Sequence, residues 1–271
     1  MKVREGLTLM WQRLPMALRR RLQAEIWNAL NLTWTLPSGV HIRIAQPADW
    51  CCYNEIFVNG DYDAAIRRAI ETAGGRALRV ADVGANAGFF TLRVADLLRQ
   101  CGASDAFKAT LIEPSSRLCA EAAVRVCGEN GLGAHVNIVR GLAGERRGAQ
   151  MFYESDLYRH TGHSIVPSAV AQSVVAVDYV DLELLFADAA QIDLLKCDIE
   201  GAEQLVIENY PELLRRVRVA AFELHPDHCD TERCLALLRA AGLSQQVLIR
   251  QNDRAAIYHL WRPDIGERPP H

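Results

Sequence analysis

The sequence predicts a doubly wound α/β domain, and three stretches carry that prediction. Residues 78–83 form an apolar strand that runs into the small-residue turn Gly84-Ala85-Asn86-Ala87-Gly88 and then an apolar helical stretch to about residue 98. Residues 109–113 form a second apolar strand ending in Glu113, and residues 192–198 a further one ending in Asp198. Strands separated by helix-length segments pair in parallel, because each connection must cross the sheet before the next strand begins.

Composition sets the outer limits. The chain has 271 residues and half of them are apolar, enough to bury a full core. Its 30 basic and 33 acidic side chains leave a net charge of -3, which argues against a dedicated nucleic-acid binder. Near the N-terminus the balance differs, since Lys2, Arg4, Arg13, Arg19, Arg20 and Arg21 meet only Glu5 and Glu25. Eight cysteines occur without a Cys-x-x-Cys pair and read as free thiols of a reducing cytoplasm. His225, His228, Cys229 and Cys234 match no structural-zinc spacing. With no secretory signal and no long apolar span, a cytoplasmic protein without a transmembrane segment is expected.

Taken in order, Leu7, Met10, Trp11, Leu14, Leu18, Leu22, Ile26, Trp27 and Leu30 recur at helical spacing, broken at Pro15. This basic amphipathic stretch reads as a brace on the main domain or a contact to a second copy, ahead of a membrane-surface helix. Residues 33–36 and 40–44 flank Pro37-Ser38-Gly39 as a β-hairpin, and Asn59-Gly60 marks a turn. The boundary is placed there, giving an N-terminal extension over 1–60 and a cofactor domain over 61–271. A helix is expected over about 63–72, another over about 115–127 up to Gly128, and a strand over 136–139. Residues 145–173, with Phe152, Tyr153, Tyr158, His160 and His163, read as an irregular substrate-facing loop or as a strand pair with a loop. Beyond them come a strand over 174–177, a short helix to residue 185, and a helix opening after Asp198. A strand over 217–224, a helix over 231–241, two closing strands at 246–249 and 255–260, and a proline-containing tail complete the chain.

The turn after the first sheet strand is Asp82-x-Gly84-x-Asn86-x-Gly88, without the third glycine of a dinucleotide fingerprint. A ligand without a pyrophosphate is therefore expected, and S-adenosylmethionine fits. Its carboxylate suits the positive end of a helix, and Gly84 lets the backbone approach the ligand. Glu113 stands where the ribose hydroxyls of an adenosine would lie, the alternative being a solvated strand end. The expected cofactor contacts are Asp82, Gly84, Asn86, Gly88, Glu113 and Asp198.

Residues 82–88, Ile112-Glu113-Pro114, Leu195-Lys196-Cys197-Asp198-Ile199-Glu200-Gly201-Ala202-Glu203 and Phe222-Glu223-Leu224-His225 together resemble the FkbM family of S-adenosylmethionine-dependent methyltransferases. Glu55-Ile56-Phe57-Val58-Asn59-Gly60-Asp61-Tyr62 is similar to that family's upstream segment. The resemblance covers about residues 51–260. It implies the class I methyltransferase fold, a Rossmann-like seven-stranded sheet, mostly parallel with one antiparallel strand, and O-methylation of hydroxyls on sugars, glycolipids or polyketides. The first 35 residues and the stretch from 145 to 173 find no counterpart in the family pattern.

Methyl transfer to a hydroxyl needs alignment of the reacting atoms and removal of the hydroxyl proton. Asp198 ends a strand at the switch point, and Glu223 and His225, two apart, project from one face of theirs. The ordinary histidine pKa lies near working pH, so His225 is the expected base, with Asp198 and Glu223 orienting the reacting groups. Magnesium on Asp198 and Glu223 is the less favoured alternative, because that ion prefers oxygen ligands and a histidine shares the site; no metal is expected. Glu200 and Glu203 read as carboxylates favoured by a helix N-terminus. The competing functions are a nicotinamide-dependent oxidoreductase, disfavoured by the missing glycine, and a catalytically silent cofactor-binding subunit. The expected partner is a small-molecule or glycan acceptor, with a homo-oligomer through the N-terminal extension as the further possibility.

Overall fold

The computed structural model describes residues 32–103, 106–154 and 173–263, with scattered positions between 15 and 30. The hairpin of β1 (Leu32–Thr35) and β2 (His41–Ile44) leads into α1 (Pro47–Tyr53), which continues as a π-helical turn over Asn54–Val58, and then into α2 (Asp63–Ala73). Strand and helix alternate from there: β3 (Leu78–Val83), α3 (Phe89–Gln100), β4 (Phe107–Glu113), α4 (Ser116–Ala122) with a π-helical continuation over Ala123–Glu129, and β5 (Val136–Arg140). The antiparallel pair β6 (Ala149–Glu154) and β7 (Ser173–Asp178) follows, then α5 (Leu182–Leu185). The chain closes with β8 (Ile192–Cys197), α6 (Glu203–Asn209), α7 (Pro211–Arg215), β9 (Val217–Leu224), α8 (Thr231–Ala240), β10 (Gln245–Gln251) and β11 (Ala256–Trp261).

Seven strands form one sheet in the order β10-β11-β9-β8-β3-β4-β5. All run parallel except β11, which lies antiparallel to both β9 and β10. Order reverses between β3 and β8, and a ligand crevice forms where chains leave such a pair in opposite directions. The six residues of β8 are all buried, as expected of a strand covered on both faces. Its one acidic residue, Asp193, is satisfied by the Arg79 N–H at 2.8 Å and by the Arg76 guanidinium, which hold its carboxyl below the ordinary range against the opposing effect of burial.

Apolar side chains gather in two large clusters, one on each side of the sheet, and a small third one of Leu142, Phe152 and Val177. The first takes in Ile66 and Ala69 of α2, Leu92 and Val94 of α3, and also Val40, Ile42 and Ile44 of the hairpin region, so the extension and the sheet share a core. The second joins Val206, Leu213, Leu235 and Leu238 to β8 and β9. Described positions from 18 to 30 are helical. Trp27 packs against the first cluster, whereas Leu18, Leu22, Ile26 and Leu30 face outward. The N-terminal residues before Pro15, and Tyr158, His160 and His163 of the expected loop, lie outside the described residues.

One buried ion pair ties the extension to the glycine turn. Arg125, in the π-helical continuation of α4, meets Asp49 of α1 at 2.9 Å, and both are almost fully buried. The guanidinium also donates to the Ala87 carbonyl at 2.7 Å and lies 4.2 Å from the Phe89 ring centre. Such additional partners offset the desolvation that a buried pair must overcome. All eight cysteines are free, and no described helix is long and apolar enough to cross a membrane.

Candidate active site

The turn after β3 and the turn after β8 meet backbone to backbone. Gly84 has φ of 77°, and a Cβ there would stand 1.7 Å from the Asp198 carbonyl oxygen, so a side chain is excluded on two counts. Asp198 N–H donates to the Val83 carbonyl at 3.1 Å, and Lys196 Nζ donates to the Gly84 carbonyl at 2.5 Å. Asn86 takes a left-handed φ of 50°, which asparagine tolerates, and its N–H reaches Glu113 Oε2 at 2.9 Å. Ser115 N–H donates to the other Glu113 oxygen, also at 2.9 Å. Burial raises the Glu113 pKa to about 7, with those two N–H bonds pulling the other way.

A cavity opens at this junction. Its apolar wall comes from Ile112, Leu118, Leu142 and Phe152, its polar side from Asn86 and Glu113, and its far end from Asp198 and Glu200. Of the six expected cofactor contacts, Gly84, Asn86, Glu113 and Asp198 line it. Asp82 lies beneath the turn, fully buried, where it accepts from Thr91 Oγ1 at 3.1 Å in the first turn of α3. Gly88 lies beneath it too and gives room for Val126, whose Cγ2 stands 2.6 Å from where a Cβ would be. A second chamber opens past Asn86 and Asp198, walled by Cys52, Glu55, Tyr62, Phe90 and Lys196. Cys52 and Glu55 come from the extension; Glu55 opens the segment that resembles the family's upstream stretch, whereas no sequence pattern singles out Cys52.

Four carboxylates and two cations crowd the ends of β8 and β9. Asp198 lies 3.4 Å from Lys196 Nζ, and Glu223 accepts from the Tyr62 hydroxyl at 3.3 Å. Burial opposes the Lys196 charge, but Asp198, Asp82 and Glu223 outweigh it and push the pKa well up. His225 is bracketed, with Nδ1 3.0 Å from Glu203 Oε1 and Nε2 3.4 Å from Glu200 Oε2. Glu203 is fully buried and accepts from the Ile199 N–H at 3.0 Å and the Gly201 N–H at 3.1 Å. Burial would lower the His225 pKa, but the hydrogen bond and charge of Glu203, with Asp198 and Glu200, raise it to about 10. The ring is therefore an imidazolium at neutral pH, a donor on both sides. An ordinary histidine pKa does not apply here, because the carboxylates that create the shift come from a different loop. Glu200 and Glu223 move upward, each to about 8, through burial first and the Asp198 charge second.

Asp198, Glu203 and His225 each present a possible ligand atom within 4.8 Å of one another. Both Glu203 oxygens already accept backbone N–H bonds and one of them also meets His225 Nδ1, so the set does not fit a resident magnesium ion without dismantling that turn.

A seven-stranded sheet of this order, with its one antiparallel strand next to the edge, is the class I methyltransferase fold, and the cavity lies at its switch point. The family model described as the methyltransferase FkbM domain matches residues 82–244, more than half of the chain, and the protein belongs to that family. Among solved structures the chain is similar to the FkbM methyltransferase from Methylobacillus flagellatus KT, with 16% identity over 68% of this chain and 44% of that one and a TM-score of 0.45. It is also similar to the METTL16 methyltransferase domain, with 14% identity over 85% and 86% of the two chains and a TM-score of 0.48. A third is the magnesium protoporphyrin IX methyltransferase ChlM of Synechocystis PCC 6803, solved with bound S-adenosylmethionine, at 12% identity over 76% and 80% with a TM-score of 0.43. The chain thus spans less than half of the FkbM structure it resembles. No curated protein matches it.

Proposed function

We propose that this methyltransferase acts on a hydroxyl of a saccharide, glycolipid or polyketide-type small molecule. The observation that carries the reading is Asp198, which lines both chambers, with Glu223 and His225 coupled to it by charge from the end of β9 without lining either chamber. S-adenosylmethionine supplies an electrophilic methyl group on a sulfonium whose departure is uncharged. The cavity suits it: Ile112, Leu118, Leu142 and Phe152 offer an apolar slot for adenine, Glu113 a carboxylate for the ribose hydroxyls, and Gly84 and Asn86 a helix start for the carboxylate end. Asp198, which lines both chambers, is placed to attract a cation, and His225 and Glu223 act on the reacting groups through the carboxylates and the Tyr62 hydroxyl they touch. A hydroxyl attacks well only as its proton leaves, and the carboxylates around His225 give that proton somewhere to go. The small net negative charge supports a small-molecule acceptor over a nucleic acid, and the eight free thiols support a cytoplasmic setting.

Calorimetry tests the cofactor. S-adenosylmethionine is expected to bind and NAD is not, with Glu113→Ala weakening the affinity; tight binding of NAD alone overturns the reading. Transfer of labelled methyl to deoxysugar, glycolipid and macrolide acceptors tests the reaction, and it is expected to proceed with a chelator present. Labelling of amine acceptors alone refutes the O-methyl assignment.

A further inference from the structure

The cluster contains a carboxylate to which the preceding proposal gives no role of its own. Glu200 has φ of 54°, a left-handed backbone that a side chain beyond glycine, asparagine or aspartate rarely adopts. Its neighbour Gly201 has φ of 105° and leaves no space for a Cβ, since His228 atoms would stand 2.8 Å away. Glu203 fixes the turn by accepting the N–H groups of Ile199 and Gly201. The turn thereby carries the Glu200 carboxylate to the Nε2 side of His225, opposite Glu203 at Nδ1, and into the wall of the cofactor cavity.

Its neighbours are engaged differently. Asp198 is ion-paired with Lys196, Glu203 is sealed from solvent, and Glu223 accepts the Tyr62 hydroxyl. The Glu200 side chain is 41% exposed, against 27% for Asp198 and none for Glu203, so of these three it is the most open to solvent, and it lines the cofactor cavity.

We propose that Glu200 is the catalytic residue that takes the proton of the acceptor hydroxyl, and that His225 and Glu203 are positioning residues that hold its carboxylate in place. This rests on the O-methyl reading above. The acceptor O–H bond breaks as the new C–O bond forms, the C–S electron pair stays with the departing neutral sulfur, and the proton leaves Glu200 for water. The groups facing Glu200 are Asp198 beside it, Glu223 from β9 and His225 just past its end, Glu203 from α6 and Lys196 from the end of β8. Although its outer edge is open, the protein packed around its carboxylate, and then the Asp198 charge, raise its pKa to about 8, suited to a base at working pH.

Glu200→Gln is the test. The amide copies the protonated acid, and a wild-type circular dichroism spectrum and cooperative melt at pH 7 show the variant to be folded. The kcat toward a hydroxyl acceptor falls about 10²- to 10⁴-fold, the range for a lost general base. Wild-type kcat/KM rises toward pH 8, that rise is lost in the variant, and Glu200→Asp restores part of it. Independently of any acceptor, the ¹⁵N ring signals of His225, assigned with His225→Gln, titrate at lower pH in Glu200→Gln. An unmoved His225 titration, or near-wild-type kcat, overturns the Glu200 assignment while O-methyl transfer stands. Failure of the wild type to methylate any hydroxyl acceptor overturns the O-methyl reading itself, and the role of Glu200 with it.

Discussion

Gly84→Ala adds one methyl group at the point where the two functional turns touch. Its Cβ would lie 1.7 Å from the Asp198 carbonyl oxygen, 2.8 Å from the carbonyl carbon and 3.0 Å from Ile199 Cγ2. Two of the three obstacles are backbone, and Asp198 N–H is itself bonded to Val83, so neither turn can swing aside cheaply. The left-handed φ contributes about 1–2 kcal/mol and the forced separation of packed groups about 1–3 kcal/mol more, for a total of about 2–5 kcal/mol. At roughly 2–4 °C per kcal/mol for a chain of this size, melting should fall by about 4–20 °C. Gly74→Ala is the control, because φ there is 59° and nothing lies within 4 Å of the new Cβ, which leaves only the conformational cost. Thermal melts of both variants, followed by circular dichroism, isolate the steric part by subtraction. If Gly84→Ala melts no lower than Gly74→Ala, the two turns do not abut as described. Cofactor affinity is expected to drop in Gly84→Ala alone, since Gly84 and Asp198 both line the cavity.

Two further outcomes concern charge. Arg125→Leu leaves Asp49 buried beside no cation and should cost about 3–5 kcal/mol in urea denaturation. Adding Asp49→Leu should recover part of that loss, and a double variant whose loss equals the sum of the Arg125→Leu and Asp49→Leu losses would show that the pair is not coupled. The pH dependence follows from the raised groups: Glu113 at about 7 and Glu200 and Glu223 at about 8 retain protons that the unfolded chain releases near 4.5, and His225 at about 10 retains one released near 6.5. Where the native state binds more protons, stability falls as pH rises. The His225 contribution is thus complete below pH 6.5 and lost as pH climbs toward 10, while the three carboxyls weaken the fold progressively above 4.5. The melting temperature should therefore decline from pH 6 to pH 9, less steeply in His225→Gln, and a rise over that interval would contradict the assigned causes.

Strand ends were the most legible part of the chain. Asp82, Glu113 and Asp198 each close an apolar run, and burial on both faces makes such runs visible without any partner. Strand order was not legible in the same way, because periodicity carries no information about neighbours; it came through the family resemblance. Glu203 illustrates a different limit. A glutamate in the first turn of a helix is explained well enough by the helix dipole, and only the folded Ile199–Ala202 turn shows it gathering two N–H groups and a histidine from another strand. The charge state of His225 was hidden for the same reason, since Glu200 and Glu203 are more than twenty positions away. Lys196 lies within the motif, yet its bond to the Gly84 carbonyl spans 112 residues. Cys52 of α1 and Glu55 of the π-helical turn reach the second chamber only because that segment packs beside the glycine turn; the resemblance marks Glu55 but not Cys52.

The Asp49–Arg125 pair bears on how this domain can be inherited. A gene joint placed at residue 82, where the family match begins, would deliver a guanidinium to the interior without its counter-charge and a chamber stripped of one wall. Homologous segments exchanged at that point would survive only if the donor supplied its own acid at the same depth.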